Sequence, residues 1–233
     1  MFRRHRFPKT LRAILALGAA CVTARADLVA DTLRYFDPPG ALSPGDFLKT
    51  IRPRKVPPRA RAEALALLPR KGVVAAPADH RHKLDALSSI LGYHDRQESM
   101  DVMVVDVFQA FTGLYARSAV IISTHALRLL DTGELQAVVA HELGHDYYWT
   151  EFAKAFGQRR HAQLQELELR CDGIAVITLL DLGLDPALLT AAIGKIEMFN
   201  FRLGPAADAA EYPPRSLRER FIQSLAERRR RAR

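Results

Sequence analysis

The sequence predicts an α+β fold, mainly α, in which a helical core carries a small β-sheet beside one helix. Three observations predict it. Apolar residues recur at helical spacing from about 132 to 156 and again from about 161 to 182. Two short runs rich in valine and isoleucine, 101–108 and 119–123, precede the first of these helices. Two cysteines, Cys21 and Cys171, are too few for a disulfide scaffold, so a core must hold the 233-residue chain together.

The chain opens with an export pattern. Arg3, Arg4, Arg6, Lys9 and Arg12 make a positive stretch, Ala13 to Val22 is a short apolar run, and Ala24-Arg25-Ala26 is an A-x-A cleavage site. Cleavage after Ala26 would leave a mature exported chain, periplasmic or secreted, beginning at Asp27. The apolar run is well short of the ~20 residues that span a bilayer.

Removing this segment changes the charge reading. The formal charge is +8, but six of the 34 Lys and Arg lie in 1–26, leaving 28 against 26 acids. Five more arginines sit in the tail 228–233, so the body is slightly acidic. The tail reads as a solvated helix end suited to the helix dipole, with peripheral contact to anionic lipid or an acidic envelope protein as the alternative. There is no basic stripe with interleaved aromatics, which argues against nucleic acid as a partner.

Residues 27–58 hold Pro38, Pro39, Pro44, Pro53, Pro57 and Pro58 and read as an extended arm. The domain proper then covers 59–227. Arg61 to Leu68 and Arg81 to Leu91 read as short helices, and Asp101 to Phe108 and Ala119 to Ser123 as strands. Gln109-Ala110-Phe111-Thr112-Gly113-Leu114 is their connection, with a turn glycine. Ser123 can cap a short helix through Leu130.

Asp131-Thr132-Gly133-Glu134 has the form of a capping box, and Leu135, Val138 and Val139 lead a buried stripe into His141-Glu142-Leu143-Gly144-His145. This is H-E-x-x-H. Residues i and i+4 share a helix face, so His141 and His145 can reach one metal ion. Glu142 projects about 100° away, placed to act on a metal-bound water without ligating the metal. A zinc hydrolase needs a third protein ligand and one open position.

The third ligand can be sought by levels. The metal helix runs on through Trp149 and Phe152 to about Phe156, Gly157 breaks it, and the second helix returns antiparallel. From His145 to Gly157 the rise is about 18 Å, and from Gly157 to Glu168 about 16 Å. Glu168 is then level with His145, and Asp172 with His141, where it can accept from a ligating histidine. Glu166 is the nearest competitor for the ligand position. The remaining histidines, His80, His82, His94, His125 and His161 among them, read as solvated or structural.

The pair of motifs, H-E-L-G-H and Glu168-Leu169-Arg170-Cys171-Asp172, resembles the HtpX/BepA-like and CAAX prenyl endopeptidase-like zinc metallopeptidases, family forty-eight of the metallo class, gluzincin type. That family has H-E-x-x-H followed by E-x-x-A-D, with Cys171 here at the alanine position. Asp185-Pro186 matches its later turn and suits the start of a further helix. Gln109-Ala110-Phe111 is similar to its N-A-F segment, with glutamine for asparagine. Tyr212-Pro213-Pro214, followed by Leu217-Arg218-Glu219-Arg220, is similar to its histidine-proline segment and following arginine, with tyrosine for histidine. The resemblance covers about residues 85–226.

The resemblance implies a zincin-like helical core, one Zn2+ held by His141, His145 and Glu168, and a polypeptide substrate. Glu142 would be the general base. For the group that stabilises the oxyanion it puts Tyr212 first, with Tyr147, Tyr148 and Arg218 as the other candidates. In many zinc peptidases an edge strand above the motif helix takes the substrate as an added strand. Here that role would fall to Asp101–Phe108 and the 109–114 connection. By resemblance the setting is envelope protein quality control. A metal-bound envelope chaperone or assembly factor with latent peptidase activity is the alternative of a different class.

Overall fold

The computed structural model describes residues 28–37, 42–68, 72–204 and 211–231. The export pattern of 1–26 lies outside them. The elements are α1 (28–35), α2 (Pro44–Thr50), α3 (Pro58–Ala66), β1 (Val73–Val74), a 3-10 turn (Ala78–His80), α4 (Arg81–Asp85), α5 (Leu87–Tyr93), β2 (Asp101–Val105), β3 (Thr112–Tyr115) and β4 (Ala119–Ser123). There follow α6 (Thr124–Leu129), α7 (Thr132–Tyr147), α8 (Trp149–Gly157), α9 (His161–Asp181), α10 (Ala187–Phe201) and α11 (Arg215–Arg231). The fold is therefore mainly α with one small sheet. Among the described residues no helix is long and apolar enough to cross a membrane.

α7 and α9 form the centre. The α7 capping box is complete: the Asp131 carboxylate accepts from the Glu134 amide at 2.8 Å, and Glu134 accepts from the Asp131 amide at 2.9 Å. Two of the orphan amides of the first turn are thus satisfied. The helices meet where Gly144 faces Cys171. A Cβ on Gly144 would lie 2.7 Å from the Cys171 Cα, so only glycine permits this approach. Leu135, Val139, Leu143, Leu169, Ile174 and Leu179 are buried around the contact. α10 and α11 pack on the same pair.

The sheet order is β1-β2-β4-β3, with β2 parallel to β4 and β3 antiparallel to it. Two expectations change here. The connection 109–114 contains a third strand, β3. Its glycine and evenly half-buried side chains hide the alternation that marks a strand. β2 ends at Val105 and lies between β1 and β4, so it is interior, and β3 is the edge that rests on α7.

The proline-rich segment is not an extended arm. It contains α1 and α2, and Val29, Leu33, Phe36 and Leu48 enter the core. The Phe36 ring fills the space over Gly173, where an added Cβ would clash at 2.2 Å. Pro44 sits in the first turn of α2, the one helical place where proline costs nothing. Among the described residues of this segment, 52–57 is the longest stretch without helix or strand.

Three further boundaries differ. The motif helix stops at Tyr147, and α8 is a separate helix from Trp149, with Tyr148 buried between them and an edge-on ring contact to Tyr35. The turn after α8 is closed by Arg159 at φ 52 and not by Gly157. The basic tail continues α11 to Arg231 and is tied down: Arg228 pairs with Asp37 at 2.9 Å, Arg229 donates to the Phe36 carbonyl, and Arg230 reaches Asp185 at 3.3 Å.

Candidate metal centre

His141 and His145 stand on α7 on either side of the Gly144 crossing, and Glu168 stands on α9 one turn before Cys171. The close approach therefore delivers one carboxylate between two imidazoles. His141 Nε2 lies 3.4 Å from Glu168 Oε2, and His145 Nε2 lies 3.7 Å from Glu168 Oε1. One ligand atom from each residue fits within a group 4.8 Å across. Glu168 Oε2 is buried and has no hydrogen-bond partner, although buried carboxylate oxygens are normally satisfied. An N,N,O donor set converging on an unsatisfied buried oxygen fits a zinc-sized cation. Glu166 turns away and pairs with Arg170 at 2.5 Å.

Behind His141 the arrangement is a chain. Its Nδ1 lies 2.9 Å from Asp172 Oδ1, so Nδ1–H donates to the carboxylate and Nε2 faces the metal position. Asp172 is fully buried and is gripped in turn by Arg218, whose Nε and terminal nitrogen reach its two oxygens at 2.9 and 2.6 Å. Burial opposes the Asp172 charge, but the Arg218 guanidinium and the His141 hydrogen bond hold its carboxyl below the ordinary range. For His141 burial works against protonation, yet the Asp172 hydrogen bond and the Glu168 carboxylate 3.4 Å from Nε2 raise its pKa to about 9, so an arriving cation must displace a proton there. Glu168 is also held ionised against burial by the two histidines and Arg218.

Glu142 is buried on the side of α7 facing the sheet, where its Oε1 accepts the Thr112 hydroxyl at 2.8 Å. Thr112 escaped the sequence reading because its strand did. Below the site, Asp146 is clamped by Arg96 at 2.8 Å and by Arg117 at 2.5 Å. Ala116 and Arg117, at φ 46 and 56, form the left-handed turn joining β3 to β4. The Arg117–Asp146 pair thus fastens that hairpin to the residue after His145.

Of the oxyanion candidates, Arg218 is committed to Asp172. Tyr147 donates its hydroxyl toward His94 Nδ1 at 2.9 Å, and Tyr148 is buried beside Tyr35. Tyr212 is 45% exposed in the segment leading to α11.

Residues 78–160 match the model of peptidase family M48. The match takes in the sheet from β2 to β4, α7 and α8, and ends just before α9, so Glu168, Asp172 and Arg218 stand beyond it. No curated protein matches the chain. The match is centred on the strand and helix that carry the H-E-x-x-H site, so this part of the chain is similar to peptidase family M48.

Proposed function

We propose that the protein is a zinc-dependent endopeptidase that hydrolyses extended or unfolded segments of exported polypeptides, with Glu142 as general base. The observation that carries this is the buried Glu168 carboxylate set between His141 and His145, with a second buried carboxylate, Glu142, held at the edge strand. Zinc bound by His141, His145 and Glu168 would act as a Lewis acid and lower the pKa of a bound water toward ~7.

The chain's own residues then have separable tasks. Glu142 takes the proton of the attacking water and passes it to the leaving nitrogen. Thr112 orients the Glu142 carboxylate by donating to Oε1, leaving Oε2 for the proton. Asp172 fixes the tautomer of His141, and Arg218 keeps Asp172 charged and in place. Tyr212 is the proposed oxyanion donor, by its place in the segment that resembles the family's histidine-proline segment. β3 offers outward backbone groups with which an extended substrate can pair. Export with cleavage after Ala26 would place this chemistry in the envelope.

The test is a zinc titration beside digestion of casein. Glu142→Gln should keep zinc and fold and lose cleavage. Equal loss of zinc in that variant would show that Glu142 is a ligand. Tyr212→Phe should lower kcat with zinc content unchanged.

A further inference from the structure

The hydrogen-bond parity of β3 can be worked out residue by residue. The Ser123 amide donates to the Phe111 carbonyl at 2.9 Å, and the register pairs Gly113 with Ile121 and Tyr115 with Ala119. In an antiparallel ladder, hydrogen-bonded and non-hydrogen-bonded pairs alternate. Phe111, Gly113 and Tyr115 therefore turn their backbone groups toward β4. Ala110, Thr112 and Leu114 turn theirs toward the outer edge. The other side of β4 agrees: the Asp101 amide takes the Ser118 carbonyl at 3.0 Å, which assigns the even residues of β4 to β2.

One of the three outward positions is already filled. The Ala110 amide donates to Asn200 Oδ1 at 2.9 Å, and Asn200 Nδ2 donates back to the Ala110 carbonyl at 2.8 Å. A carboxamide has the donor and acceptor of a peptide unit. This two-bond ring is the one that a residue of an added antiparallel strand would make. Asn200, half-buried near the end of α10, stands where the next residue of a bound strand would stand.

We propose that Asn200 closes the strand-addition edge at Ala110, so that an extended substrate pairs with β3 only across Thr112 and Leu114. Asn200 is then a specificity-determining residue. It limits backbone recognition to two pairing positions beside Glu142 and forces the substrate chain off the sheet at Ala110. The inference rests on the endopeptidase reading for the identity of the strand.

The experiment uses zinc-loaded protein carrying Glu142→Gln, so that peptide binds without turnover, and reads amide hydrogen exchange by NMR. The probe is a capped, extended peptide from casein. At saturation the Thr112 and Leu114 amides should gain protection, while the Ala110 amide, already bonded, should not change. Adding Asn200→Ala should leave the Ala110 amide open in the free protein and protected by peptide, with affinity for long peptides about tenfold higher through two new backbone bonds. Asn200→Asp keeps the acceptor for the Ala110 amide, so its binding should stay near that of the unsubstituted side chain. Displacement of Asn200 by peptide, seen as a changed Ala110 amide, would overturn the proposal. So would absence of protection at Thr112 and Leu114, or an Asn200→Ala protein that is less stable but binds long peptides as before. If the exchange pattern holds but the protein with native Glu142 and zinc does not cleave casein, hydrolysis fails and the edge assignment stands.

Discussion

The α7–α9 helix pair and the edge strand β3 supply the two halves of the site and are held in opposite ways. The helix pair is fixed by packing: a glycine crossing, a continuous apolar interior, and a buried chain from His141 through Asp172 to Arg218. β3 is four half-buried residues held from its ends, by Arg117 on Asp146 at one and by Asn200 on Ala110 at the other. The difference separates two jobs. Metal ligands must not move, and burial ensures it. A substrate-binding edge must present unpaired backbone, and a strand with that property cannot also be buried.

The largest expected effect is at the helix crossing. Gly144→Val puts a branched side chain into the Cys171 backbone, with no flexible atom to give way, and should abolish zinc binding and most of the folded population. Circular dichroism and metal analysis check this. Zinc retained at wild-type stoichiometry would mean that the ligand geometry does not depend on the crossing.

Next is the chain behind His141. Arg218→Ala leaves the buried Asp172 carboxylate without its guanidinium and held by the His141 Nδ1–H alone; removing one partner of a buried ion pair costs about 3–5 kcal/mol in other proteins. It should also weaken zinc by about 10–100-fold, because the histidine loses its fixed carboxylate. Denaturant melts and competition with a zinc chelator measure the two separately. A stability loss with unaltered zinc affinity would confine Arg218 to folding.

How much of this could be read beforehand follows the same division. The capping box at Asp131, the H-E-x-x-H face and the level of Glu168 and Asp172 are local or set by helical rise, so the sequence carries them openly. So is the mainly α composition of the fold. β3 could not be read, because an edge strand with a glycine and no inward-outward contrast resembles a loop. The helices in the proline-rich segment were hidden because proline count outweighed position: Pro44 begins α2 and does not interrupt it. Arg218 was visible as a residue but not in its role, since gripping Asp172 depends on how α11 docks on α9. Asn200 has no signature at all, because its partner is backbone 90 residues away.

A smaller effect tests the underside of the helix pair. His94 is buried between α7 and α9, and its tautomer follows from its neighbours. Thr178 spends its hydroxyl proton on the Ile174 carbonyl at 2.8 Å, so it accepts from His94 Nε2 at 3.0 Å, and Nδ1 accepts from Tyr147. Burial, with Arg52 and Arg96 nearby, lowers its pKa from 6.5 to about 3. The folded pKa is below the unfolded one, so the unfolded chain binds the proton first. This contribution to stability is complete above pH 6.5 and is lost as pH falls from 6.5 toward 3, by up to about 1.4 kcal/mol per pH unit. His94→Gln should flatten stability against pH between 6.5 and 5. An unchanged slope would mean that His94 is already protonated in the fold.

The smallest expected effect probes the edge strand where it touches the chemistry. Thr112→Val preserves shape and strand propensity but removes the hydroxyl that donates to Glu142 Oε1. The helix pair does not depend on that bond, so zinc affinity and melting temperature should hold nearly constant. The carboxylate, however, loses a charge-assisted partner and can rotate, and kcat should fall about tenfold with little change in KM. Thr112→Ser, which restores the donor, should recover most of the rate. A fall in KM-dependent binding without a kcat effect would make Thr112 a strand residue only. A loss of zinc would show that the two halves of the site are not mechanically separate, since a change confined to the strand would then have reached the ligands.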